Sequence, residues 1–434
     1  MQVIRDAKTK NLVLAASISA VLGGMSAPAV ADDLADTLYK KGVITEEEYK
    51  QLDSSELTGS SDGKFEWKSK DGNSSIKLSG RAQLDYRTFD NNDATTDGFY
   101  MRRVYFGADG KLYKDWSYEV VYNLVANEME YGYLDYKWND AARLRMGQFK
   151  YQFSFEEITS SRFTDFMERS LVNQWVPGKD IGIMLHGEPK KNVYSYALGV
   201  ANGSGKNEDP YSPPADGQEF IGRFAVNFAP MMNWKDGVVQ LGVNYATGQM
   251  PGTDSPGKAT TEAKGITFFT ATAPGTQTMD RDRTDIGGLV IFGPVKVQGE
   301  WLKANYSADG GYDRDIDTAY IDATWLISGE KYIDNYTING MKTIEPLHSI
   351  KSGGKGAWEV GLRYSQFEAD DAFAVTSTST NKADALTVGL KWIPVTNVRF
   401  LANYVQTNFD TPIVANGEAL DDEKAFIMRA QIYF

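Results

Sequence analysis

The chain of 434 residues contains no cysteine and only two histidines, His186 and His348. Without cysteine it can form neither a disulfide nor a thiolate metal site. A Ser-His-Asp site would have to use one of two histidines that lie far apart in the sequence, and a helical metalloprotease motif is absent. The sequence therefore argues against an enzyme, and we expect no cofactor and no bound metal.

Long apolar runs are also missing. After the N-terminal segment, no stretch supplies the ~20 consecutive apolar residues that a membrane-spanning helix needs. If the mature chain crosses a membrane, it must do so as a β-barrel, because only helices and closed barrels satisfy their backbone groups in lipid. Positive charge is in deficit, with 45 basic against 58 acidic residues and a net charge of −13. This balance argues against a nucleic-acid partner.

Residues 1–31 predict a secretory signal peptide. Arg5, Lys8 and Lys10 form a basic start, residues 12–21 form a short apolar run, and residues 29–31 form a small-residue cleavage site. A retained membrane anchor is the alternative. Cleavage would remove three basic residues and one acid, which would leave a net charge of about −15.

Residues 32–63 predict a short helical leader and a polar linker on the periplasmic side. Leu34 and Leu38 follow helical spacing, and Thr45 with Glu48 forms a capping box for a second short helix. Such a leader could mediate a subunit contact, touch the cell wall or act only as a spacer.

From Ser75 onward the hydrophobic pattern has a period of two, which indicates strands with one apolar and one polar face. The first strand runs past ten residues, which is unusual for a lone strand of a soluble sandwich. Including the first strand, around Ala82, the sequence offers sixteen candidates. The other fifteen centre on Val104, Val120, Leu134, Leu144, Ile183, Ala197, Phe224, Leu241, Leu289, Val297, Ile321, Val360, Val388, Phe400 and Met428.

The pattern therefore predicts an all-β fold, a transmembrane antiparallel barrel of sixteen strands within residues 64–434. Residues 266–273 could supply a seventeenth strand, but we assign them to a long outer loop. An even count places both ends of the barrel in the periplasm. The final strand closes with Phe434, which resembles the last strand of bacterial outer-membrane barrels, and 24 Tyr, 21 Phe and 9 Trp suit aromatic girdles.

Turn lengths favour the same topology. The connections at 140–141, 189–192 and 394–397 are short, as periplasmic turns are in such barrels. Three connections are long, and we expect all three on the outer side: residues 202–217, 248–285 and 328–356.

Several stretches identify a family. Residues 144–150 (LRMGQFK) lead into 153–163 (FSFEEITSSRF) and 166–171 (FMERSL), with support from 101–104, 110–116 and 356–365. Together they resemble the phosphate- and polyphosphate-selective porin family of Gram-negative outer membranes, over nearly the whole mature chain. The resemblance implies a sixteen-stranded trimeric barrel in outer-membrane lipid, with a loop folded into each pore.

Residues 151–178 match that constriction loop. Such a loop would narrow the pore and place charge where ions pass, although an ordinary outer loop is the alternative. Its charged residues are Glu156, Glu157, Arg162, Asp165, Glu168 and Arg169.

Basic side chains on the inward faces of the strands are the predicted pore lining. The resemblance adds that Arg81, Arg102 and Arg103 match positions lining the conduction path and that Lys150 lies at the mouth of the loop. The predicted set is Arg81, Arg102, Arg103, Lys111, Arg143, Arg145, Lys150 and Arg223. Alternation also turns acids inward, among them Asp85, Asp135 and Glu359, so many wall charges could form structural ion pairs instead.

Two functions remain open. The first is a passive, trimeric channel for small anions, with phosphate among the candidates, or for other small hydrophilic solutes. The family's phosphate specialists carry a dense arginine cluster after a glycine-rich outer loop, and here only Arg223 stands there. We therefore expect a mild anion preference. The alternative is a barrel with little or no conductance that serves as an adhesin, a receptor or a structural protein.

Overall fold

The computed structural model describes residues 58–59, 65–91, 93–210, 217–373 and 375–434. The predicted signal peptide and the helices of the leader lie outside these residues. Thr58–Gly59 of the linker pairs with Glu66–Lys68, which follows the linker, in a small antiparallel ladder.

From Lys77 onward the chain forms a closed antiparallel barrel of sixteen strands. The strands are β1 (Ser75–Asp90), β2 (Gly98–Leu112), β3 (Trp116–Asn123), β4 (Glu128–Asn139), β5 (Ala142–Lys150), β6 (Lys179–Lys190), β7 (Tyr194–Ala201), β8 (Glu219–Asn227), β9 (Gly237–Pro251), β10 (Thr278–Phe292), β11 (Val295–Ala308), β12 (Tyr312–Leu326), β13 (Ala357–Ala369), β14 (Lys382–Val395), β15 (Val398–Ala415) and β16 (Glu418–Tyr433). All sixteen predicted centres fall within them, so the predicted strand count is confirmed.

Strand β16 pairs with β1 and closes the sheet. Their register runs from Lys424 opposite Asp90 to Tyr433 opposite Arg81. The terminal Phe434 continues this contact, since its N–H donates to the carbonyl of Gly80 at 3.1 Å. Its ring occupies the space that a Cβ on Gly80 would need, at 2.4 Å from two ring carbons. The last residue therefore completes the seam of the barrel.

Side chains alternate along each strand between the lumen and the outer surface. On β13, Glu359 and Arg363 are buried inside, whereas Leu362 and Tyr364 are exposed outside. Outward aromatic residues gather near both ends of the strands. At the end with the short turns, Trp392 stacks on Trp358 and on Phe400, with ring centroids 5.6 and 5.4 Å apart. The outer face therefore has the apolar band and aromatic edges of a membrane barrel.

One long connection lies at the end opposite to the predicted one. Residues 327–356 follow β12, which runs in the same direction as β4 and β14. Their ends lead into the short turns at 140–141 and 396–397. Residues 327–356 therefore lie at the end with the short periplasmic turns. The prediction of an outer loop was wrong because it used only the length of the connection.

The other long connections lie at the outer end, as predicted. They span residues 202–218 and 252–277, because β9 and β10 extend further than the sequence pattern indicated. Thr267–Thr270 forms a strand, but it pairs with Lys258–Thr260 inside this loop and adds nothing to the barrel.

Three inserted segments fill much of the lumen: residues 151–178, 252–277 and 327–356. Their helical parts in the described chain are one turn, Phe155–Ile158, and the 3-10 turns Leu171–Gln174, Tyr332–Asn335 and Ile350–Ser352. None of the described helices is long and apolar enough to cross a membrane.

The largest hydrophobic cluster lies inside the barrel, where segments 151–178 and 252–277 pack against inward residues of β5–β15. Trp175 stacks on Phe367 of β13 at 6.0 Å and meets Phe269 edge to face. Phe166 lies against the backbone of β13 and β14, where a Cβ on Gly361 or Gly389 would approach its ring to within about 3 Å. The lumen beside β13 and β14 is therefore packed, and open space remains along β1–β6.

We expect Leu362→Arg to destabilise the barrel. Leu362 is half exposed on the outer face of β13, midway between Trp358 and Glu368, so arginine would lie at the bilayer midplane at a cost of roughly 2–4 kcal/mol. The free energy of unfolding in vesicles measures this cost. Gln366→Arg, on the same face nearer the interface, is the control and should cost about 1 kcal/mol or less. Equal costs would contradict the assigned depth.

Candidate functional site

A polar cavity of about 320 Å³ lies in the lumen between strands β1–β6 and the inserted segment 151–178. Seven basic and two acidic side chains line it. They are Arg81, Arg103, Arg145, Lys150, Arg162, Arg169, Lys179, Glu119 and Glu157. The excess of positive charge makes this cavity the candidate functional site.

Three of the lining arginines have no acidic partner in the described parts of the chain: no salt bridge within 4.0 Å includes Arg81, Arg103 or Arg162. Arg81 instead donates to the hydroxyl of Ser161 at 2.8 Å, and Arg103 donates to Gln83 at 3.1 Å. The buried Nε of Arg81 has no hydrogen-bond partner among the described residues. These guanidinium groups keep their charge available to an anion.

The other four lining cations are neutralised by carboxylates. Arg145 is 2.8 Å from Asp135, and Lys179 pairs with Glu130. The remaining two, Lys150 and Arg169, share Glu157, with N···O distances of 2.9 and 3.2 Å. The cavity thus holds both paired and unpaired cations on neighbouring elements.

A buried ion-pair cluster fastens the inserted segment to the inner wall. Glu168 contacts Arg87 of β1, Arg102 of β2 and Arg429 of β16, the last two at 3.1 and 2.9 Å. Asp85 completes the cluster, since Arg429 reaches it at 2.6 Å and Arg87 at 2.7 Å. Except for Arg102, these side chains are almost fully buried. Their charges therefore serve the structure of the loop.

Further contacts fix the segment on the other side of the lumen. The carboxylate of Glu300 on β11 accepts the backbone N–H of Phe155 and of Glu156 at 3.1 and 2.8 Å. Asp165 pairs with the fully buried Lys296, and Met167 donates its N–H to Asn403 at 2.7 Å. Residues 151–178 consequently cross the interior, held at both walls.

Glu156 and Glu157 are adjacent but lie in opposite electrostatic environments. Burial raises the pKa of Glu156 to about 7, and the neighbouring Arg363 opposes only part of this effect. Burial acts on Glu157 as well, but Arg169 and Lys150 outweigh it and lower the pKa of Glu157 to about 2. Glu157 therefore remains ionised at neutral pH.

Strand β2 presents two consecutive arginines to the lumen. Neighbouring side chains of a regular strand point to opposite faces, yet Arg102 reaches Glu168 of the inserted segment while Arg103 reaches Gln83 of the inner wall. Both side chains therefore reach the lumen from consecutive positions of β2. Arg102 points inward but is occupied by Glu168.

Four residues of the predicted lining do not line the cavity: Arg102, which pairs with Glu168, and Lys111, Arg143 and Arg223. Lys111 is exposed at the end of β2, and Arg143 lies beside the short turn at 140–141, 3.5 Å from Asp140. Arg223 is buried and donates to the hydroxyl of Ser195 and to the carbonyl of Ile338, at 2.8 and 2.9 Å. It thus anchors the segment 327–356, which explains its burial.

Among the lining residues that sequence reasoning missed, three are polar side chains from separate parts of the chain. Lys179 begins β6 directly opposite Lys150, Ser161 belongs to the inserted segment, and Asn339 comes from the segment 327–356. The sequence carried a usable signal that this segment is buried: three apolar residues at regular spacing, Ile338, Met341 and Ile344. A connection surrounded by water rarely carries such a pattern.

The described residues contain no group of three or more His, Asp or Glu side chains arranged to hold a metal ion. The arrangement of the cavity favours binding of an anion by guanidinium, hydroxyl and ammonium groups.

Comparison with known proteins gives one family and several related folds. Residues 76–434 match the family model of the phosphate-selective porins O and P. Porin O of Pseudomonas aeruginosa is 28% identical over 404 residues, which cover 83% of this chain and 88% of Porin O.

Solved structures that resemble the chain include porins and other outer-membrane proteins. An anion-selective porin from Comamonas acidovorans has a TM-score of 0.57 at 14% identity, covering 83% of this chain and all of that porin. OprB of Pseudomonas putida has a TM-score of 0.51 at 9% identity, covering 84% of this chain and 95% of OprB. At such low identity the likeness shows the fold alone.

We expect Glu168→Gln to weaken the barrel strongly, because it leaves three arginines with a single acid, Asp85. Removing one partner of a buried ion pair costs about 3–5 kcal/mol, and the free energy of unfolding in urea measures this. Glu368→Gln is the matched control. Glu368 is exposed and pairs only with Lys382 among the described residues, so its loss should cost about 1 kcal/mol or less. Similar costs for both variants would contradict the anchoring role of Glu168.

Proposed function

Because the chain belongs to the phosphate-selective porin O and P family of outer-membrane β-barrels, we propose that it is a passive channel that prefers small anions. Solutes would cross the outer membrane down their own gradient, with no catalytic step and no cofactor. Phosphate is one candidate solute, because the family is described as phosphate-selective and the Comamonas porin as anion-selective.

The observation that carries this proposal is the set of three unneutralised arginines in the lumenal cavity. Arg81 and Arg103 stand on adjacent strands of one wall, and Arg162 approaches from the inserted segment. In a narrow, partly dry space each positive charge lowers the barrier for an anion and raises it for a cation.

The acidic character of the whole chain does not oppose this preference. Exposed acids such as Glu208, Asp209 and Glu418 belong to outer connections or strand ends. Charges further away than about 8 Å are largely screened at physiological ionic strength. The selectivity therefore depends on the charges at the cavity.

The remaining parts of the chain fit this role. Residues 151–178 would act as the constriction, since they cross the lumen and supply two of its basic side chains. Residues 1–31 would direct secretion, and 32–63 would lie in the periplasm. A homotrimer is the expected assembly, as for the trimer form of Vibrio cholerae OmpT, whose TM-score is 0.50.

Single-channel recording in planar bilayers separates this function from the alternative of an adhesin, receptor or structural barrel. A porin gives discrete conductance steps, whereas a closed barrel gives none. The reversal potential in a potassium chloride gradient then gives the anion preference directly.

We predict that replacing Arg81 and Arg103 together with glutamine will move the reversal potential toward that of a cation-selective channel. Both substitutions keep a polar side chain, so the cavity should stay hydrated. Lys303→Gln with Lys382→Gln removes the same charge from the outward surface, where both lysines are exposed, and should leave the reversal potential unchanged. A parent channel that already prefers cations would refute the proposal.

A further inference from the structure

We infer that Glu157 sets the strength of the anion preference by neutralising two of the cations that line the cavity. The inference rests on the proposed function and adds a specificity-determining residue to it. Glu157 is the one cavity-lining acid that forms a salt bridge among the described residues. One of its carboxylate oxygens pairs with Lys150 and the other with Arg169.

The geometry makes the neutralisation direct. Oε1 of Glu157 lies 2.9 Å from Nζ of Lys150, and Oε2 lies 3.2 Å from Nη1 of Arg169. Asn173 also donates to Oε2, at 2.7 Å. An anion entering the cavity would have to compete with this carboxylate for both cations, so it meets only Arg81, Arg103 and Arg162 as unneutralised charges.

Glu157 stays ionised at neutral pH. The two neighbouring cations hold the pKa of Glu157 at about 2 in spite of its burial. Because a guanidinium also keeps its proton, the pair between Glu157 and Arg169 persists throughout the physiological range.

Both cations would stay in place without the carboxylate. Arg169 donates to the backbone carbonyls of Glu156, Glu157 and Thr159, at 3.1, 3.2 and 2.8 Å. Lys150 donates to the carbonyl of Glu157 at 2.7 Å. Replacing the side chain of Glu157 therefore changes the charge of the cavity more than its shape.

The other acids that neutralise lining cations act differently. Asp135 and Glu130 belong to β4 and do not line the cavity themselves. Asp135 neutralises Arg145, and Glu130 neutralises Lys179. Asp135 also holds His186, at 2.9 Å, and Glu130 also holds Lys206, at 3.1 Å. Removing either would disturb the wall, whereas Glu157 belongs to the inserted segment and faces the cavity.

The test is the reversal potential of Glu157→Gln in a potassium chloride gradient, with assembly checked first by the heat-modifiable mobility of the barrel. Removing the carboxylate adds one net positive charge to the cavity and releases Arg169, so the anion-to-cation permeability ratio should rise by about threefold or more. Glu368→Gln makes the same change of charge on the outward surface and should leave the ratio as in the parent. If the glutamine variant does not assemble, Glu157→Ala is measured instead.

A double variant separates charge from structure. Glu157→Gln with Arg169→Gln removes one negative and one positive charge and so returns the local sum of charges to that of the parent. The permeability ratio should therefore fall back close to the parent value. A parent that prefers cations would overturn the proposed function itself. A parent that prefers anions, combined with an unchanged or lower ratio in Glu157→Gln, would overturn only the role of Glu157.

Discussion

Backbone N–H and C=O groups inside a bilayer have no water to bond, so every strand needs a hydrogen-bonded neighbour on both sides. In this chain the pairing of β16 with β1 meets that need, and Phe434 extends it to Gly80. Closure fixes which side chains face lipid and which face the lumen. Lipid-facing positions must then be apolar, and the polar side chains turn toward an interior that three inserted segments partly fill.

Filling the lumen changes what an inward charge can do. An unpartnered buried charge is costly, and breaking a buried pair costs about 3–5 kcal/mol against about 1 kcal/mol or less at the surface. Most wall charges are accordingly paired, as Lys391 is with Glu359 at 2.7 Å and Arg363 with Glu262 at 2.6 Å. Inward basic residues thus divide into many that hold the inserted segments and few that face the solute.

The same distinction explains how an acidic chain can carry an anion-preferring path. With 58 acidic and 45 basic residues the chain is negative overall, but screening confines the influence of each exposed charge to about 8 Å. The path responds to Arg81, Arg103, Arg162 and the pairs around Glu157, all within one cavity. A single carboxylate in the cavity therefore affects the anion preference more than several acids in the outer connections.

The sequence by itself determined the number of strands, their faces and the closing residue, because an alternation of period two is local and each strand reports it independently. It also marked residues 151–178 as unusual and carried the family resemblance. Only the tertiary structure decided which inward charges are neutralised. Glu168 and Arg429 are 261 positions apart, and no local pattern pairs them. No local pattern shows that Arg102 and Arg103 both reach the lumen. Nor does one show that residues 327–356 enter the lumen from the periplasmic end. These features depend on which segments enter the lumen, and that choice is made by contacts between distant parts of the chain.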